Sequence, residues 1–99
     1  MFGKLNEAKH KAEEMKLKLD AITVEGNAQG VQVIANANKK IISVNISADL
    51  LKPENKEQVE DLLIVAIENA LEQAENISAA EMKAMMGGMM PGLGNLFGN

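Results

Sequence analysis

From Leu5 onward the apolar positions follow a seven-residue repeat: Leu5, Ala8, Ala12, Met15, Leu19 and Ile22 fall at a, d, a, d, a, d. No Gly, Pro or β-branched residue lies between Lys4 and Ala21, so local propensity agrees with the pattern and a helix is predicted over residues 4–21. Two of the six seam residues are alanine, and the seam is correspondingly thin. Such a helix packs along one narrow line and leaves most of its surface in water.

At Ile22 the period changes to two. ITVEG, GVQVIAN and KKIISVNIS are rich in Val, Ile and Thr, and the stretches Gly26 to Gly30 and Asn36 to Lys39 carry turn chemistry between them. The prediction is a three-stranded antiparallel meander. Val31, Val33 and Ala35 alternate with Gln32, Ile34 and Asn36, and Ile42, Val44 and Ile46 alternate with Ser43, Asn45 and Ser47. One face of the sheet is therefore apolar and needs a cover.

Lys52-Pro53-Glu54-Asn55 closes the sheet region, with Pro53 suited to the first turn of a second helix. Val59, Leu62, Leu63, Ala66, Ile67, Ala70, Leu71 and Ala74 then form a broad 3.6-period stripe opposite Asp61, Glu68, Glu72 and Glu75. This helix is the expected cover, giving an α+β fold in the order α-β-β-β-α. Ile64 and Leu71, one heptad apart, widen the apolar face beyond what three strands need and are the candidate subunit contacts. Ser78-Ala79-Ala80-Glu81 has capping-box spacing and predicts the restart of a short helix. MMGGMMPGLGNLFGN follows, uncharged and rich in Gly and Met. The expected organisation is one domain over residues 1–83 and a flexible segment over 84–99, with an adaptable Met/Leu/Phe patch for a protein partner as its functional alternative.

A core of roughly 80 residues is marginal alone, which makes oligomerisation an expectation. The chain has no cysteine, so disulfides and thiolate metal sites are excluded. Its longest apolar run, Leu62 to Ile67, falls far short of the ~20 residues that span a bilayer. The opening MFGKLNEAKH has no apolar signal region, so no membrane partner and a cytoplasmic location are expected.

Charge adds a positional asymmetry. The net charge is −4, yet residues 4–19 hold five of the ten cations and carry a net +2, leaving −6 for residues 20–99. Lys4, Lys11 and Lys18 occupy g, and Lys9 and Lys16 occupy e, so both borders of the seam are positive. Glu7, Glu13 and Glu14 sit at b and c. Two readings of the lysines stand side by side: stems that lie over the edges of a buried seam, or a basic track about 21 Å long that follows phosphates. Like charges at e and g disfavour a parallel coiled coil of this helix with itself.

Catalysis finds little support. His10 is the single histidine and falls at f, away from the seam, while Glu13-Glu14 and Glu60-Asp61 point about 100° apart on their helices. Glu7-x-x-His10 has the spacing of carboxylate-bridged dimetal bundles, but such sites need the motif twice and facing inward. No enzyme, metal or cofactor is expected. There is no arginine and no Trp or Tyr, so base reading by bidentate Arg and stacking of single strands are both unsupported.

MFGKL, TVEG before GVQV, KIISVNISADLL, EDLLIVAIENAL and the terminal GGMMPGLGNLF together resemble the YbaB/EbfC family of nucleoid-associated proteins, over essentially the whole chain. The resemblance implies a small bacterial homodimer of α-β-β-β-α order whose amino-terminal helices project as a pair of arms and bind DNA in the nucleoid. It implies phosphate contacts from Lys4, Lys9, Lys11, Lys16 and Lys18. The expectation is therefore a homodimer on duplex DNA with low sequence specificity. The alternative is a non-enzymatic protein-interaction module that uses the arms or the Met-rich end.

Overall fold

The computed structural model describes residues 2–89, with side chains described for residues 7–86. Helix α1 (Phe2–Ala21) leads into strands β1 (Thr23–Ala28), β2 (Val31–Asn36) and β3 (Ile41–Ile46); two short 3-10 turns, Ala48–Leu50 and Pro53–Asn55, precede helix α2 (Lys56–Met89). The sheet is an antiparallel meander in the order β1-β2-β3, as the period-two pattern predicts.

The β1–β2 turn is tighter than the sequence implies. Gln29 and Gly30 both have positive φ, 35° and 99°, the requirement of a two-residue turn that matches the twist of its strands. Gly26 is consequently a strand residue, paired with Val33, and not the start of a turn. Its place is set by α2. A Cβ on Gly26 would stand 2.0 Å from the Ala66 carbonyl oxygen and 2.5 Å from the Ala70 nitrogen, so the helix backbone lies directly on this strand.

Ala66, Ala70 and Ala74 supply the matching surface on α2 and are fully buried. With Val24, Val31, Val33 and Ala35 they form the core, and Leu62, Leu63, Ile67 and Ile77 pack around it. Small side chains on the helix and a missing one on the strand bring the two layers close together. The result is a thin core in which, among the described residues, Val31 and Val33 are the largest side chains fully enclosed.

α2 packs on β1 and β2. Val44 and Ile46 stand opposite Val33 and Val31, on the face toward α2, yet Val44 remains 45% exposed. The strict alternation expected of β3 is broken by a bulge: Ile34 pairs with Ser43 and Ala35 with Ile41, so Ile42 is an extra residue, 52% exposed. Ile46 packs against the edge of the core, while Val44 on the same face is left largely uncovered among the described residues.

α2 runs 34 residues without a break. The expected restart at Ser78 does not occur, because the inward stripe continues in phase from Ala74 through Ile77 to Glu81, and an unbroken helix leaves no free amides for a capping box to satisfy. The segment expected to be irregular from residue 84 is helical as far as Met89, Gly87 and Gly88 included. Extending a formed helix through a glycine costs only about 1 kcal/mol. The remainder of the expected tail, residues 90–99, lies outside the described residues.

Candidate nucleic-acid interface

The predicted seam of α1 is covered only at its carboxyl end. Leu19 is buried and Met15 and Ile22 are half-buried, but Ala8 and Ala12 are exposed. The side chains of Lys4 and Leu5 lie outside the described residues. From Glu7 to Glu14, therefore, α1 is exposed, and the lysine stems in that stretch have no buried seam to lie across.

The root of this arm is held by the β2–β3 turn. Asn36, 4% exposed, accepts at Oδ1 from the backbone N–H of Asn38 (2.9 Å) and of Lys40 (3.1 Å), which shapes the turn, and its Nδ2 reaches Asp20 Oδ1 at 3.4 Å. Asn38 Nδ2 donates to the Lys16 carbonyl at 3.0 Å and to Asp20 Oδ1 at 2.6 Å. The Ala37 N–H donates to the carbonyls of Leu19 (3.1 Å) and Ile22 (2.9 Å). The last four carbonyls of α1 have no partner within the helix, and this turn supplies one to Leu19. The arm's direction is fixed by polar contacts at one end.

The lysines divide into two sets. Lys11 and Lys18, from g, line with Glu14 and Met15 one side of a groove of about 470 Å³ whose other side is Glu81, Ala84 and Met85 of α2. Lys18 Nζ lies 2.7 Å from Glu81 Oε2 across it. Lys9 and Lys16, from e, are exposed on the opposite border, and the turn carrying Asn38 docks on the side of Lys16 and Asp20. Among the described residues Lys18 is the one lysine of α1 with an ion-pair partner.

Lys39 and Lys40 follow Asn38 directly and are exposed. They bring two more cations to the arm's root, and Lys39 pairs with Glu75 of α2. Sequence reasoning did not find them, because their place beside α1 depends on hydrogen bonds that span 18 to 22 residues. Only the Asn-rich turn NANK hinted at side chains with hydrogen bonds to make.

His10 is exposed on α1 and Glu7 is exposed one turn before it. Of the candidate subunit contacts, Ile64 is 55% exposed and Leu71 is half-buried. Val65, at 46%, adds to the apolar surface of α2. No helix of the described residues is long and apolar enough to cross a membrane.

A family model described as the YbaB/EbfC DNA-binding family matches residues 1–89. The chain is 45% identical over 94 residues to a nucleoid-associated protein of Beijerinckia indica, covering 90% of this chain and 93% of that protein. It is 40% identical over 100 residues to a nucleoid-associated protein of Thermus thermophilus, with 98% and 95% covered. An uncharacterised protein of Helicobacter pylori, known from a crystal structure, shares the fold with a TM-score of 0.76 at 21% identity, over 86% of this chain and 91% of that one.

Proposed function

The chain belongs to the YbaB/EbfC DNA-binding family, and from that premise we propose that it binds duplex DNA in the nucleoid as a homodimer, through lysine–phosphate contacts of α1. The observation that carries this reading is the arm itself. Between Glu7 and Glu14 the helix is exposed on all sides, with lysines on both borders of its seam and its direction fixed by the Asn36–Asn38 turn. Lys9, Lys11 and Lys16 take phosphate contacts, Lys4 continues the track toward the amino terminus, and Lys18 joins from the groove. Lys40 extends the track past the root.

Lysine is a compact point charge without the planar fork of arginine, so contacts of this kind position a protein on a duplex and read little sequence. Unrelated duplexes of equal length should displace a labelled one equally well. A preference of tenfold or more for one of them would contradict the low specificity proposed here.

The homodimer is supported by the thin core and by the apolar surface left open. Val44 and Ile42 on β3 and Ile64 and Val65 on α2 are each exposed by 45% or more. A second copy is the natural cover, since the surface of one chain alone leaves a small core that is marginal in isolation.

A second reading concerns the end of α2. Met82 and Met86 are exposed on a helix that reaches Met89, and flexible thioether side chains adapt to varied apolar surfaces, which suits a protein partner for this end. Removal of residues 84–99, which takes away Met86 and the last turn of α2, separates the two readings: loss of protein capture with duplex affinity intact assigns the end to a partner.

A further inference from the structure

Glu81 stands where an apolar residue is due. The inward stripe of α2 runs through Ala66, Ala70, Ala74 and Ile77, and the next position in phase is Glu81, seven residues after Ala74. Beyond the sheet this stripe faces α1, and the carboxylate there meets Lys18 at 2.7 Å. Ala84 and Met85 continue the stripe and face Met15 across the groove.

We propose that Glu81 is an internal competitor for the phosphate that Lys18 would otherwise bind, so that this one ion pair between α2 and the arm tunes the affinity of the chain for DNA. The proposal rests on the DNA-binding reading above and deepens it. Three observations carry it. First, Lys18 is held by a partner, whereas Lys9, Lys11 and Lys16 have none among the described residues. Secondly, Glu14 and Glu81 share the groove with Lys11 and Lys18, so a phosphate approaching Lys18 meets carboxylates already in place. Thirdly, the pair is exchangeable: Lys18 is 58% exposed and Glu81 27%, and ion pairs at that exposure are weak and screened by salt.

Lys39 and Glu75 repeat the arrangement at the turn, where another α2 carboxylate holds another cation of the arm's root. α2 thus presents acids to Lys18 and Lys39, while Lys9 and Lys16 of the e border are exposed. Duplex that takes Lys18 releases Glu81, and with it a tie between the arm and the last turns of α2. By linkage, whatever holds Glu81 on Lys18 weakens DNA binding by the same factor.

The test is a cycle of four full-length chains, wild type, Glu81→Gln, Lys18→Gln and the double variant, with Glu68→Gln as a control for lost net charge. Glu68 is exposed and makes no ion pair among the described residues. Affinity for one duplex is measured at fixed salt and across a salt series. Glu81→Gln should bind about two- to fivefold more tightly than wild type, with a log–log salt slope steeper by about 1 to 2 per dimer. Glu68→Gln should change affinity by less than about 1.5-fold, and Glu81→Gln should have no effect when Lys18 is already Gln. Equal or weaker binding by Glu81→Gln, or the same gain in the Lys18→Gln background, would overturn the proposal. If wild type itself fails to bind, the DNA-binding reading falls first and takes this inference with it.

Discussion

Asn38 and Asp20 are joined by a 2.6 Å hydrogen bond from the asparagine amide to the carboxylate, across 18 residues of sequence. The same amide reaches the Lys16 carbonyl. This contact and its neighbours at Asn36 and Ala37 hold the carboxyl end of α1, where Leu19 is the buried residue of its seam. Asn38→Ala should therefore loosen the arm while leaving every lysine in place. A stability loss of about 1 kcal/mol is expected from the lost hydrogen bonds. Amide exchange in the last turns of α1 should quicken, and duplex affinity should fall. Unchanged exchange in that segment would show that the turn does not hold the arm.

The lysine borders are predicted to differ. Lys9→Gln with Lys16→Gln removes two cations that have no ion-pair partner among the described residues, and should weaken duplex binding more than Lys11→Gln with Lys18→Gln, in which one lysine already spends its charge on Glu81. Lys40→Gln should also weaken binding if the track passes the arm's root. Titrations of the three variants at one ionic strength decide the order.

Gly26→Ala tests the packing of α2 on the sheet. Its Cβ would meet helix backbone, which has no rotamer to yield, so the layers must separate. Overpacking of a tight core costs about 1–3 kcal/mol, and a clash with backbone belongs at the upper end. A thermal midpoint lower by about 12 °C or more is the expected result for a domain of this size.

Val44→Glu tests the second copy. Val44 is 45% exposed in the single chain, so a charge there costs little unless a partner covers it. The variant should shift the chain from dimer to monomer in sedimentation equilibrium, and Ile64→Glu should do the same if α2 shares the interface. A dimer that survives both changes would place the subunit contact elsewhere.

Much of this architecture was legible in periodicity. The change from seven-residue to two-residue to 3.6-residue spacing marks α1, the meander and α2, because each element buries one face and exposes another. The features that escaped are those set by contacts between elements. Gly26 looked like turn chemistry, and its reason is the α2 backbone against it. Ser78-Ala79-Ala80-Glu81 looked like a helix start, yet the same four residues lie inside a helix whose inward stripe never loses phase. The e and g lysines were visible as two borders, but which border faces α2 depends on how α2 extends beyond the sheet to meet the arm. Lys39 and Lys40 gained their place only through Asn38.

The central claim, a lysine arm that engages duplex phosphates, is tested most directly by the salt dependence of duplex binding by the intact protein. If about six to ten lysines of a dimer contact phosphates, the logarithm of the affinity should fall with the logarithm of salt concentration at a slope of about −5 to −9. A flat response, or no duplex binding at low salt, would contradict the account.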